Sequence, residues 1–263
     1  MADGEGTREI RIAAVGDLHY DASRGTSFRD MFADVNRKAD VLVLCGDMTT
    51  HGKPEQMAAF VGELAGVDIP IVSVLGNHDY EAGQHEEVTR ILADRGVQVL
   101  DGQSIVIDGI GFCGTKGFAG GFGRGALAPF GELLIKEFVQ VALDEALKIE
   151  NGLRSLTTDV RVCVLHYAPI FETIVGEPEV IWPFLGSSRL LQPIDTIGCD
   201  VVFHGHAHHG TFQAQTPAGI PVYNVAMPLL QERGENFLVW TIKAPERRGS
   251  RPERMTVGGG TPS

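Results

Sequence analysis

Four of the chain's nine histidines fall within six residues, His204-Gly205-His206-Ala207-His208-His209. Imidazole is the commonest metal ligand, and histidines two apart in a loop can turn ring nitrogens toward one point. The preceding Val201-Val202-Phe203 is apolar and β-favouring, so the histidines follow a buried strand. A chance tag would not follow such a strand and then return to Thr-Phe-Gln-Ala. Metal chemistry at this point needs partners, above all carboxylates, at the ends of other strands.

The chain supplies them in order: Asp17 with His19, Asp47, Asn77 with His78, His166, then His206 with His208. Each has a plain reading when taken alone. Gly46-Asp47 is a turn, Asn77-His78-Asp79 a helix N-cap, and His166 a satisfied core histidine. Together they are harder to dismiss, because every one follows an apolar, strand-like run. Asp17 and His19 flank Leu18, so an extended backbone would face both side chains the same way.

The runs that position them set the architecture. Strands are expected at 9–15, 40–45 and 69–75, alternating with helices at 27–38, 54–66 and 84–95. Pro54 opens the second helix, and Asp40–Cys45 is apolar throughout, as in a parallel strand buried on both faces. This α/β rhythm places a site at the carboxyl ends of strands. Beyond Gly96, strands at 97–100, 103–107 and 110–113 are split by Asp101-Gly102 and Asp108-Gly109, a hairpin signal. The glycine-rich 114–125 stretch lacks phosphate-loop spacing and reads as a mobile loop beside the site. A helix at 132–150 carries the stripe Leu134, Phe138, Val141 and Glu145, broadened by Ile135, Ala142 and Leu143 and read as core packing. A strand at 159–165, a long irregular segment at 169–185 with Phe171, Trp182 and Phe184, and a helix at 188–197 follow. Antiparallel strands at 211–216, 221–226 and 236–242 close the fold.

The 263 residues, 43% hydrophobic and 21% charged, suit one soluble domain. Its expected limits are 9–243, with a disordered N-terminus at 1–8 and a disordered basic, glycine-rich tail at 244–263. No apolar run spans a membrane, and the acidic start is not a signal peptide. Four cysteines lie in apolar runs without a CxxC pair, which fits buried thiols in a reducing cytoplasm. A net charge of -12 disfavours long nucleic acid as a partner.

The five ordered motifs, Asp17-Leu18-His19, Gly46-Asp47, Gly76-Asn77-His78-Asp79, His166 and Gly205-His206-Ala207-His208, resemble those of the calcineurin-like metallophosphoesterases. The resemblance covers nearly all of Ile10 to Ile242. It implies a four-layer αββα sandwich with two mixed β-sheets flanked by helices. It also implies a dimetal phosphoesterase working through a metal-bridging hydroxide. One ion would take Asp17, His19, Asp47 and His208, the other Asp47, Asn77, His166 and His206, with Asp47 shared. Mixed nitrogen and oxygen donors suit Mn, Fe or Zn, divalent or trivalent, rather than Ca. His78, outside both sets, would give a proton to the leaving group. Asn77, Lys116, Arg124 and Tyr167 are the expected substrate contacts.

One position departs from the family pattern. Many relatives carry an acidic residue three places after the bridging aspartate, where this chain has Thr50. A threonine can accept a hydrogen bond from His78 but brings no charge. The stretch from Gly46 to Pro54 resembles the small-phosphodiesterase branch, so small diesters are favoured slightly over monoesters. Two rival classes stand beside this one. A lactamase-type metal hydrolase would use His204, His206 and His209, although its aspartate position holds His208. A non-catalytic binding module would ordinarily have lost ligands.

Overall fold

The computed structural model describes residues 7–25 and 27–245. Two sheets pack face to face. The first contains β1 (Thr7–Val15), β2 (Val41–Cys45), β3 (Ile71–Val74) and β4 (Gln98–Val99), all parallel, with the last strand β11 (Leu238–Pro245) antiparallel beside β1. The second runs β5 (Ser104–Ile107), β6 (Ile110–Thr115), β7 (Val160–Leu165), β8 (Val201–His204), β10 (Pro221–Asn224), β9 (Gln213–Gln215). Its four inner strands are parallel and its two edges antiparallel.

Helices α1 (Arg29–Lys38), α2 (Pro54–Glu63) and α4 (His85–Asp94) send Phe32, Val35, Met57, Phe60, Val88 and Leu92 into the core that holds β1 to β3. Helices α5 (Leu133–Ser155) and α6 (Ser188–Ile197) cover the outer face of the second sheet. The strand alternation follows from these layers. On β7, Val160, Val162 and Val164 join the inter-sheet core, while Cys163 and Leu165 pack in a second cluster with Ile149, Leu153, Leu190 and Ile194. Two short helices complete the fold, α3 (Asn77–Tyr80) and α7 (Met227–Glu232). Among the described residues no helix is long and apolar enough to cross a membrane.

Several details differ from the sequence reading. Asp108-Gly109 is a two-residue hairpin turn with both φ angles positive, at 52° and 86°, joining the paired residues Ile107 and Ile110. Asp101-Gly102 is not a hairpin, because β4 pairs with β3 in the first sheet and the chain then crosses to the second. Strand β10 lies parallel to β8 rather than antiparallel, with only β9 reversed against it. The buried face of α5 is Val139, Ala142, Glu145, Ile149 and Leu153, whereas Leu134 is 76% and Val141 41% exposed. The helix is 23 residues, about 35 Å, long, and its first turn stands exposed at Leu133 and Leu134, so the packed face begins only further along. The β1–β11 pair reaches Thr7 and Pro245, so it enters both stretches expected to be disordered. The rest of those stretches lies outside the described residues.

Candidate metal centre

Strands β1, β2 and β3 of one sheet and β7 and β8 of the other end at the same place. The residues just beyond those ends converge. Asp17, His19 and His208 form one group of potential ligands, Asp47, His166 and His206 a second, and His19, Asp47 and His78 a third. Within each group the ligand atoms lie within 4.8 Å of one another. His208 Nε2 is 3.1 Å from Asp17 Oδ1 and 3.4 Å from His19 Nε2. Asp47 Oδ2 is 3.8 Å from His19 Nε2 and 3.5 Å from His166 Nε2. Asn77 enters through His166, with its Oδ1 2.9 Å from Nε2.

The backbone aims these side chains in an unexpected way. Five non-glycine residues among those described have positive φ, and four are Asp17 (56°), His19 (42°), Asp47 (50°) and His206 (70°). Such conformations cost about 1–3 kcal/mol each and persist only where the surroundings impose them. Asp17 and His19 therefore share a direction through left-handed turns, not through the extended alternation expected from the sequence. The close approach of the loops requires two glycines. A Cβ on Gly46 would sit 2.7 Å from His166 Nδ1, and one on Gly76 would overlap the Asp47 carboxylate. Asp79 ties the two loops together, accepting from Gly76 N–H, Met48 N–H, Thr49 N–H and the Thr49 hydroxyl.

The donor set fits cations. His166 Nδ1 lies 2.9 Å from the Cys45 carbonyl, which requires the proton on Nδ1 and leaves a lone pair on Nε2. That lone pair faces two further acceptors, Asn77 Oδ1 and Asp47 Oδ2. Asp47 Oδ2 is itself buried without a hydrogen-bond partner, and an orphaned buried carboxylate oxygen is costly unless a cation meets it. His206 Nε2 is 3.2 Å from the Phe184 carbonyl, which takes its proton and leaves Nδ1 with the lone pair. Burial lowers His19 and His206 to about 4 and His166 well below its ordinary value, so these rings are neutral at pH 7. Burial works against the charge on Asp17, yet its bond with His208 and the nearby His166 and His19 hold it below the usual carboxylate range. Burial, with Asp17 and Asp79 close by, pushes Asp47 well above that range.

His78 stands at the rim. Its backbone N–H donates to Asp47 Oδ1 at 2.8 Å, and its ring centroid is 4.7 Å from that of His19. Its Nδ1 donates to the backbone carbonyl of Thr50 at 2.7 Å, while the Thr50 hydroxyl donates to the His19 carbonyl. The threonine side chain thus takes no part in holding His78, contrary to the expectation from sequence. A carboxylate is nevertheless present: Glu81 Oε2 is 3.4 Å from His78 Nδ1, and its other oxygen 3.2 Å from His51 Nδ1. Glu81 was missed from sequence, although its i,i+3 spacing from His78 was the available signal.

The expected substrate contacts divide. Tyr167 is buried with its ring 4.4 Å from that of His206. Lys116 Nζ lies 5.1 Å from the Tyr167 ring, and burial lowers its pKa. Arg124 stands exposed on a 3-10 turn at Gly123–Gly125, with no hydrogen bond or ion pair among the described residues. The glycine-rich loop is pinned rather than free: Gly120 and Gly121 N–H donate to the Pro183 and Gly186 carbonyls, and Ser188 N–H donates to Gly121. Trp182 is half-buried against Phe171, 5.0 Å between rings, and its Nε1–H donates to the Glu177 carbonyl. It fixes the long loop instead of lining the site. His204 is fully buried, Nε2 on the Thr173 hydroxyl at 2.8 Å, and His209 turns outward toward Glu232. His204, His206 and His209 therefore do not converge, which removes the lactamase-type arrangement.

Comparison with known proteins agrees with this geometry. The model of the calcineurin-like phosphoesterase family matches residues 10–210. No curated protein matches the chain. Among solved structures, the phosphopantetheinyl hydrolase of Mycobacterium tuberculosis superposes with a TM-score of 0.60 at 13% identity, over 94% of this chain and 98% of that one. A purple acid phosphatase from yellow lupin seeds gives 0.51 at 13% identity, over 78% of this chain and 38% of that one. GAP50, the anchor in the inner membrane complex of Plasmodium, gives 0.51 at 11% identity, over 84% and 72%. These likenesses concern the fold, which hosts differing roles, so activity has to be argued from the site.

Proposed function

The chain belongs to the calcineurin-like phosphoesterases, and from that premise we propose that it hydrolyses small phosphoesters, diesters somewhat ahead of monoesters, at the centre built around Asp47. The family is one of metal-dependent phosphoester hydrolases that use two divalent metal ions. Bound ions supply a strong nucleophile from water at neutral pH and offset the charge that develops on the phosphoryl group. Asp17, His19 and His208 would hold one ion and Asn77, His166 and His206 the other, with Asp47 shared. The observation that carries this reading is the buried, unpartnered Asp47 Oδ2, set between His19 and His166 of the two groups.

His78 is the acid in this reading. With Nδ1–H engaged by the Thr50 carbonyl, Nε2 is the atom left to give a proton to the departing oxygen. Glu81 Oε2, 3.4 Å from the same Nδ1, helps to fix the ring. Tyr167 and the ring of His206 close one side of the centre and limit water. The net charge of -12 supports small substrates over long nucleic acid. Three fully buried free cysteines, Cys45, Cys113 and Cys163, are compatible with a reducing compartment such as the cytoplasm.

The test is elemental analysis beside a generic nitrophenyl phosphoester assay. Wild type should carry up to two transition-metal ions and turn over. Asp47→Ala should lose both ions and activity together. Full two-ion occupancy in that variant would sink the shared-ligand assignment.

A further inference from the structure

Residues 127–134, which lead from the glycine-rich loop into α5, are all exposed, although the stretch 125–135 carries a single charge, Glu132. Phe130 is 85%, Leu133 69% and Leu134 76% exposed, and Leu127 is exposed to a lesser degree. The long loop after β7 adds Val180 at 82%, Phe184 at 60% and, less openly, Ile181. Hydrogen bonds hold the two stretches side by side. Leu127 N–H donates to the Gly120 carbonyl and Gly120 N–H to that of Pro183, while the Arg189 guanidinium donates to the Leu127 carbonyl.

Together these seven exposures come to apolar surface on the order of 800 Å², above the roughly 300–600 Å² of the largest patch on an ordinary monomer and similar to what one partner gives to a standard interface. The rim carries both signs of charge. Arg124, Glu132, Lys136 and Glu137 are exposed, and none has a side-chain hydrogen bond or ion pair among the described residues. An apolar centre inside a polar rim is the anatomy of a protein–protein interface.

The charges narrow down what covers it. A net charge of -12 disfavours an anionic lipid surface. The chain's own end is a poor cover, since residues 246–263 offer only Met255 and Val257 as large apolar side chains. That end also leaves the fold at Pro245, paired with Thr7 where β1 begins. The patch adjoins the opposite, metal-centre end, because the Phe184 carbonyl accepts from His206. A second copy brings an equal apolar centre and the same four unpaired charges, and a two-fold contact sets the patch against itself.

We propose that residues 127–134 and 180–184 form the isologous interface of a homodimer, standing at the mouth of each metal centre. Sedimentation equilibrium of the full chain should give the mass of two chains at micromolar concentration. Phe130→Asp and Leu134→Lys should each raise the dissociation constant by about thirtyfold or more, as loss of an interface anchor does. Leu147→Asp, exposed further along α5, should leave the dimer intact. Melting curves identify a variant that has failed to fold, in which case the other carries the result. Amide hydrogen exchange, which needs no substitution, should slow across 127–134 as wild-type concentration rises. Wild type that stays monomeric at high micromolar concentration overturns the proposal, whether it then floats with phosphatidylcholine vesicles or dimerises only after deletion of residues 246–263. A dimer that the folded patch variants leave intact, that Leu147→Asp dissolves, or that forms without slowing exchange across 127–134 overturns it as well.

Discussion

Replacing Asp47 by asparagine separates the cost of the metal centre from its use. In metal-free protein the Asp47 carboxylate is buried, its pKa is pushed well above the ordinary 3.8, and Oδ2 has no hydrogen-bond partner. A group whose folded pKa is raised destabilises the fold at every pH above its unfolded value, so at neutral pH the charge is a penalty. Asparagine keeps the acceptor for the His78 N–H, now at 2.8 Å, and can offer an amide N–H toward His166 Nε2, 3.5 Å from the present Oδ2. Relief of one unsatisfied buried group is worth about 1–3 kcal/mol. For a chain of this size that is roughly 2–12 °C in Tm. Scanning calorimetry after chelation should therefore show Asp47→Asn melting above wild type. Mn²⁺ should reverse the advantage, since a ligand at 100 times its Kd stabilises wild type by about 2.7 kcal/mol and the variant by far less. The reasoning is refuted if the chelated variant melts below wild type, or if Mn²⁺ raises both equally.

Other expectations follow from the same geometry. His78→Ala should retain its metals by elemental analysis yet lose roughly 10²–10⁴ in turnover, with a smaller loss for nitrophenolate than for alkoxide leaving groups; an equal loss for both would point to electrostatic stabilisation. Glu81→Gln should cost no more than about fivefold, because an exposed ion pair is worth about 0.2–1 kcal/mol, and the loss should be confined to poor leaving groups in a comparison of ester series. The buried His204, lowered by burial to about 4 from 6.5, stays neutral in the fold while the unfolded chain takes up a proton. Stability present above pH 6.5 should drain away as pH falls toward 4, by about 3 kcal/mol from this ring; urea denaturation of chelated wild type and His204→Gln at several pH values should show the shallower slope in the variant. A long single strand should be a poorer substrate than a mononucleotide-sized diester, and a preference for the strand that weakens steeply with salt would contradict that.

The candidate ligands and their places at strand ends were readable because chemistry constrains such residues twice, by residue identity and by the apolar run before each. Their aim was not readable. Asp17-Leu18-His19 reads as an alternating strand end, and the left-handed φ of both ligands depends on loops that meet only in the folded molecule. The same holds for the histidine tautomers, set by the carbonyls of Cys45 and Phe184 across the site. Strand direction failed at β10 because an apolar run specifies burial and not the neighbour it pairs with. Helix α7 escaped notice because six residues, with Pro228 in the first turn, are too few to show a period. Thr50 was weighed by its side chain, whereas its carbonyl makes the contact with His78.

The left-handed backbone at Asp17, His19, Asp47 and His206 has a consequence for anyone who would move this centre elsewhere. A graft that copied the seven side chains onto the strand ends of a regular α/β scaffold would inherit ordinary extended geometry there, and the ligands would point along the strands instead of toward one another. The portable unit is larger. It includes Gly46 and Gly76, whose missing side chains let the loops touch, and Asp79, whose four accepted hydrogen bonds clamp them. Donor scaffolds would have to be chosen for stability to spare, since four forced residues draw on it before any ion binds.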